Sequence, residues 1–267
     1  MERIKNINDF RKWKEQNKPI SMITCYDYAM ARIIEQTDID VILVGDSLGM
    51  VVAGYSSTIP VTLDQMIYHA EIVRRGAPEM FIVADLPFMS YHVSVEDALR
   101  NSGRVMKETG ANAVKLEGGR DFRKTVEALV KASIPVVGHL GLTPQSVHKL
   151  GGYTVQGRDE DKRRVMLEDA KILEESGAFC LVLEMVPEAL AREISESLSI
   201  PTIGIGAGRY CNGQVLVIND LLGVDERFTP KFLKKYADMH RVVKEALEQY
   251  GADVREGKFP AEENVFK

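Results

Sequence analysis

The feature that most constrains this chain's fold is a rhythm. Short β-branched runs recur at wide intervals, with amphipathic helical patterns between most of them. The runs are SMITC (Ser21 to Cys25), VILVG (Val41 to Gly45), FIVAD (Phe81 to Asp85), AVKLE (Ala113 to Glu117), PVVGHL (Pro135 to Leu140), CLVLE (Cys180 to Glu184), TIGIG (Thr202 to Gly206) and VLVIN (Val215 to Asn219). Each is nearly continuous in hydrophobicity, as parallel strands buried on both faces should be. Between them, Asp27 to Thr37, Thr62 to Arg75, Ser94 to Thr109, Asp121 to Ala132, Lys162 to Glu175 and Pro187 to Leu198 carry apolar residues at three- and four-residue spacing. Thr62 with Gln65 makes a capping-box pattern, and Gly76, Gly110 and Gly177 stand where C-terminal caps belong. Strand-helix alternation with a strand count near eight over 267 residues predicts an α/β fold, a (β/α)8 TIM barrel rather than an open doubly wound sheet.

One step is irregular. Only a handful of residues separate Gly206 from Val215, fewer than the dozen or so that a parallel crossover uses. Either the return there is short and extended or a single turn, or one of the last two strands lies elsewhere. A last helix is expected over Pro230 to Tyr250, followed by a polar tail from Gly251 to Lys267 that packs on a neighbouring subunit. No linker, repeat or low-complexity stretch divides the chain, which predicts a single barrel domain over residues 1–267 with an N-terminal helix and a C-terminal helix plus tail.

Composition narrows the function. With 34 Lys and Arg against 39 Asp and Glu and no basic block, the chain has no means of neutralising a run of phosphates, so nucleic acid is not expected as a partner. The apolar runs fall far short of the roughly 18 residues that cross a bilayer, and the charged start MERIKNINDFRKWKEQ has no secretory pattern; the expectation is a cytoplasmic protein without a membrane span. Cys25, Cys180 and Cys211 are odd in number and far apart, which fits neither a disulfide framework nor a zinc site.

In barrels of this kind, polar residues at strand C-termini carry the chemistry, because the rest of each strand only packs. Those ends are Asp46-Ser47, Asp85, Glu117, His139 and Glu184. Asp46, Asp85 and Glu117 are expected on neighbouring strands, where they would converge, and a period of two lets Ile42, Val44 and Asp46 share a face, as do Phe81, Val83 and Asp85, and Lys115 and Glu117. Three converging carboxylates repel unless a cation sits among them, and oxygen-only ligands favour a hard ion such as Mg2+. Taken singly, each acid would be a helix or loop cap. Lys115 is either a site for a substrate carboxylate or enolate oxygen or the partner of one acid, His139 either a substrate contact or a satisfied core histidine, and Glu184 either a general base or a helix-entry residue. GIGAG (Gly204 to Gly208) lacks the spacing of a nucleotide fingerprint and reads as a tight turn, and no nucleophile elbow or reactive-cysteine setting can be assembled. Two long connections, Ser47 to Val61 and Gly141 to Asp161, follow strand ends and are expected to act as lids.

The strings ITCYD, LVGDSLGMVVAGY, ADLPFMSY, VKLEGG, VVGHLGLTPQSVHKLGGYTVQG, LVLEMVP and PTIGIGAG, followed by GQVLV, resemble those of the ketopantoate hydroxymethyltransferase (3-methyl-2-oxobutanoate hydroxymethyltransferase) family from about Ile20 to about Gly223. The resemblance implies a barrel of the phosphoenolpyruvate/pyruvate-binding type. It also implies transfer of a one-carbon unit from 5,10-methylenetetrahydrofolate to 2-oxoisovalerate, with water, giving 2-dehydropantoate and tetrahydrofolate in pantothenate synthesis through a magnesium-stabilised enolate. By motif, Asp46, Asp85 and Glu117 match the magnesium positions, and Ser47, Asp85 and Lys115 match substrate contacts, to which Asp46 and His139 are added. Glu184 matches the proton acceptor. The partners implied are small molecules and further copies of the chain, as a homodecamer. Asn212 departs from the family, which more often has an acid before GQ. The alternatives are a related magnesium-dependent 2-oxo acid lyase or phosphoenolpyruvate mutase, neither needing folate, and a non-catalytic binding barrel that uses the acids only as caps.

Overall fold

The computed structural model describes residues 3–266. The described residues form two compact units, the first ending at Val217 and the second beginning at Ile218. In the first, helix α1 (Ile7–Glu15) precedes a strand-helix series: β1 (Ile20–Thr24), α2 (Tyr28–Glu35), β2 (Val41–Val44), α3 (Leu48–Val51), α4 (Leu63–Gly76), β3 (Phe81–Asp85), α5 (Val95–Thr109), β4 (Ala113–Glu117) and α6 (Arg123–Lys131). The series continues with β5 (Val136–Gly141), α7 (Val147–Leu150), α8 (Glu160–Glu175), β6 (Cys180–Glu184), α9 (Glu188–Ser197), β7 (Thr202–Ile205) and β8 (Gly213–Leu216). All eight strands pair in parallel in chain order, and β8 closes on β1, so the barrel expected from the alternation is the fold observed.

Closure is achieved by the short return. Residues 206–212 hold no helix; Gly206 (φ +61°) and Gly208 (φ +80°) take left-handed conformations that turn the chain, and the Gln214 side-chain amide donates to the Gly208 carbonyl at 3.0 Å. β8 begins at Gly213, earlier than the run from Val215 predicts. The backbone of Ile20 comes so close that a Cβ at Gly213 would lie 2.3 Å from its carbonyl oxygen, and by Ile218 the chain is already helical.

The caps expected from the sequence form with one exception. Thr62 and Gln65 form the reciprocal capping box of α4, and Gly110 closes α5 in the left-handed region. Gly76 is not a cap. It lies in the last turn of α4, where a Cβ would press to 2.6 Å from the Tyr28 carbonyl oxygen and 2.7 Å from Ala31 Cβ, so its missing side chain lets α4 close against α2.

Alternate strand residues fill the barrel: Met22, Leu43, Val83, Val137, Val182 and Ile203 belong to one buried cluster. Helix α1 plugs the end where the strands begin. Its Phe10 ring stacks edge-on against Phe81 and Phe179 at 5.1 and 5.0 Å, and Trp13 joins the same cluster. Burying side chains of this size is worth about 1.5–3 kcal/mol each. Lys14 Nζ then donates to the carbonyls of Ser195, Leu198 and Ile200 at 2.7, 2.9 and 2.8 Å, tying α1 to the end of α9.

The second unit holds α10 (Ile218–Leu221) and α11 (Met239–Arg255). The helix expected from Pro230 starts nine residues later, at Met239. The preceding stretch folds back on α10 instead: the amides of Tyr236, Met239 and His240 donate to Leu221, Leu222 and Gly223 at 2.8, 2.9 and 3.1 Å, and Asp238 caps the Arg241 amide. Among the described residues, no helix is long and apolar enough to cross a membrane.

Candidate active site

Strand register brings the polar strand ends together. Asp85 pairs with Lys115, Glu117 with His139, and Gly141 with Glu184 across adjacent strands. Counting back by two from Asp85, Lys115, Glu117, His139 and Glu184 reaches Val83, Ala113, Val137 and Val182 of the interior cluster, so these five side chains share the barrel's inner face. Asp46 does not follow this rule. On β2 the interior residues are Val41 and Leu43, which gives Ile42 and Val44 the opposite face; the strand ends at Val44 and Asp46 is reached through a turn. The alternation expected for Ile42, Val44 and Asp46 therefore fails, although Asp46 still arrives at the cluster: its backbone N–H donates to Asp85 Oδ2 at 3.0 Å.

The cluster is buried and charged. Asp46, Asp85, Lys115, Glu117 and His139 are each 5% exposed or less, while Ser47 and Glu184 are partly open. Lys115 Nζ lies 3.0 Å from Asp85 Oδ1 and 3.3 Å from His139 Nδ1. His139 links the two sides of the site, with Nδ1 3.4 Å from Glu117 Oε1 and Nε2 3.3 Å from Glu184 Oε2. Ser47 Oγ lies 2.8 Å from the Tyr26 hydroxyl.

Electrostatics follow from this crowding. Burial first, then the charges of Asp85 and Glu117, push the Asp46 carboxyl well above the usual carboxylate range. For Lys115, burial opposes the ammonium but the three acids outweigh it and hold the pKa above its ordinary value. Burial and Lys115 also work against a charged His139, yet the nearby carboxylates of Glu117 and Glu184 prevail and raise it to about 9. The cysteines supply no ready thiolate, because burial pushes the Cys25 thiol up to about 11 and raises Cys180 and Cys211 as well.

The donor set suits a hard cation held partly by other ligands. Among the described residues no group of three or more His, Cys, Asp or Glu forms a ready metal cage. Magnesium does not need one, since it binds through one or two carboxylates and keeps water and substrate oxygens. Asp85 Oδ1 is buried, ion-paired with Lys115 at 3.0 Å and without a further hydrogen bond, and so retains a lone pair for a cation.

Three residues at the site escape the strand-end rule because they stand on loops. Gln145 follows β5 and Tyr91 follows β3; both are buried, and both lie within motifs read above only for resemblance. Tyr153, in GGYTVQG, reaches across to place its hydroxyl 3.7 Å from Met50 Sδ, so the two long connections touch. Burial, with the charges of Glu184, Asp46 and Glu117, raises its phenol.

The family model described as ketopantoate hydroxymethyltransferase matches residues 4–262. A protein from Pseudothermotoga lettingae named 3-methyl-2-oxobutanoate hydroxymethyltransferase is 56% identical over 262 residues, 98% of both chains. Among solved structures, 2,3-dimethylmalate lyase, a member of the PEP mutase/isocitrate lyase superfamily, superposes with a TM-score of 0.61 at 15% identity, covering 98% of this chain and 92% of that one. Phosphonopyruvate hydrolase in complex with oxalate and Mg++ superposes with a TM-score of 0.63 at 10% identity, covering 97% and 93%. At these identities the structural likeness concerns the fold, and it agrees with the barrel type that the motifs imply.

Proposed function

The chain belongs to the ketopantoate hydroxymethyltransferase family, and from that premise we propose that it transfers the one-carbon unit of 5,10-methylenetetrahydrofolate to C3 of 3-methyl-2-oxobutanoate. With water, the products are 2-dehydropantoate and tetrahydrofolate, a step of pantothenate synthesis carried out in the cytoplasm. The observation that carries this reading is the buried set of Asp46, Asp85, Glu117 and Lys115 at the end of the barrel where the strands finish, with His139 between it and the partly open Glu184.

Carbon-carbon bond formation at C3 requires removal of its proton, and the electron pair must be stabilised as the adjacent 2-oxo group takes on charge. Asp46, Asp85 and Glu117 would hold Mg2+, which when bound polarises the 2-oxo acid's oxygens and offsets the developing negative charge. Lys115 adds a fixed positive charge beside the same acids, suited to the substrate's carboxylate, and Ser47 and His139 offer hydrogen bonds to its oxygens. Glu184 accepts the C3 proton. His139 Nε2 lies 3.3 Å from Glu184 Oε2 without a hydrogen bond to it, close enough to influence that carboxylate by charge. The two long connections that meet at Tyr153 and Met50 would exclude water until the one-carbon donor arrives.

The test has two arms. Product should form from 3-methyl-2-oxobutanoate and methylenetetrahydrofolate, fail without the folate, and stop when the metal is chelated. In heavy water, Glu184→Gln should slow exchange of the substrate's C3 hydrogen by about 100- to 10,000-fold with substrate affinity little changed. Wild-type exchange in that variant removes Glu184 from the role, and turnover without folate points to a lyase or mutase instead.

A further inference from the structure

We propose that Gln145 is the positioning residue that presents Asp46 and Glu117 to the metal, with Tyr91 locking the direction of its amide. The inference rests on the magnesium reading above. Gln145 sits in the single turn of 3-10 helix Pro144–Ser146 that follows β5, and is 5% exposed. Its backbone N–H donates to Glu117 Oε2 at 3.0 Å, and its side-chain Nε2 donates to Asp46 Oδ2 at 2.8 Å. One residue on a loop thus holds two acids, one at the end of β4 and one in the turn after β2. For Asp46 this matters most, because a turn rather than strand alternation sets its direction.

The amide has only one workable orientation. Nε2 also donates to the Leu86 carbonyl at 2.9 Å, so both its hydrogens are committed to acceptors. At the other end, Gln145 Oε1 lies 2.9 Å from the Tyr91 hydroxyl. That hydroxyl accepts from the Glu117 backbone N–H at 3.1 Å, which leaves its own proton for Oε1, nearer than the Glu117 carbonyl at 3.3 Å. Flipping the amide would set its oxygen against the Leu86 carbonyl and the Asp46 carboxylate, both acceptors. The network is buried, so each unmade bond would leave a polar group without water to replace it. The direction of the Asp46 donor is consequently fixed by groups that do not themselves touch the metal, the arrangement by which outer partners orient ligands.

Magnesium binding to the substrate-free protein, followed by calorimetry, tests this without turnover. Gln145→Ala should weaken binding by about 10- to 100-fold, the range found when partners of metal ligands are removed. Gln145→Glu keeps the size but loses both N–H donors and faces Asp46 with a second carboxylate, so its loss should be at least as large. Tyr91→Phe keeps the amide and removes its lock, and should weaken binding in the same direction by a smaller factor. A role in packing alone would lower the melting temperature and leave metal affinity untouched; folded Gln145→Ala with affinity within twofold of wild type overturns the inference. Should Gln145→Ala not fold, Tyr91→Phe decides, and unchanged affinity there overturns it equally. Wild-type protein that binds no magnesium would sink the metal reading and this inference with it, whereas equal binding by wild type and variants sinks the inference alone.

Discussion

Asp46 shows at the scale of one residue how function and stability oppose each other. Its carboxyl is raised from an ordinary value of 3.8 by burial and by Asp85 and Glu117, with Lys115 and Gln145 only partly compensating. The native state therefore binds this proton more tightly than the unfolded chain does. Stability contributed by the neutral form is complete below the ordinary value and is lost as pH rises through the raised one. At neutral pH and above, the metal-free protein bears that cost. Asp46→Asn removes the titration and keeps the shape, and the Gln145 amide still finds an oxygen to donate to. We expect this variant to lose nearly all activity and metal affinity, yet to melt at least about 2 °C higher than wild type in chelator at pH 8, with a smaller gap at pH 5. A lower melting temperature for the variant at both pH values would show that Asp46 is not the strained group of the site.

At the scale of elements, the join between β5 and the loop that follows it carries most of the geometry. Gly141 takes φ +99° and pairs with Glu184, and a Cβ on it would lie 2.1 Å from the Glu184 carbonyl oxygen. The Leu142 N–H donates to that same oxygen at 2.8 Å. Gly141→Ala should therefore cost about 2 kcal/mol or more through strain, and should displace the end of β6 that bears Glu184. The checks are a melting temperature lower by about 4 °C or more and a fall in kcat at least tenfold, with magnesium affinity changed less; wild-type kcat would show that β6 tolerates the shift. Much of this architecture was legible in the chain, because buried parallel strands are apolar throughout and their polar last residues stand out, as Asp85, Glu117, His139 and Glu184 do. What was not legible depends on contacts made at a distance. The close approach of α2 explains Gly76, the turn after Val44 explains Asp46, and the fold-back onto α10 explains why no helix forms at Pro230. Gln145 and Tyr91 are of the same kind, since nothing in a loop sequence distinguishes a buried polar residue from a solvated one.

For the whole molecule, the second unit poses a question of burial that one chain does not answer. A unit of some 50 residues has a high ratio of surface to volume and can bury only a small core of its own. Its main helix, α11, has no buried residue at all. Val243, Leu247, Tyr250 and Val254 are 48%, 65%, 57% and 47% exposed, and their spacing of four, three and four sets them along one stripe of the helix. Isolated apolar residues are ordinary on a surface, but a continuous stripe on a helix marks a contact. Further copies of this chain are the partner expected from the family resemblance, and a closed symmetric assembly would bury the stripe repeatedly without exposing a new one. Val243→Glu with Leu247→Glu should then reduce the molar mass measured by light scattering at micromolar concentration to that of a smaller species. Circular dichroism should stay close to wild type, because neither residue belongs to the barrel. A mass equal to that of a single chain in the wild-type protein would refute the assembly, and an unchanged large mass in the double variant would move the contact off α11 to another surface.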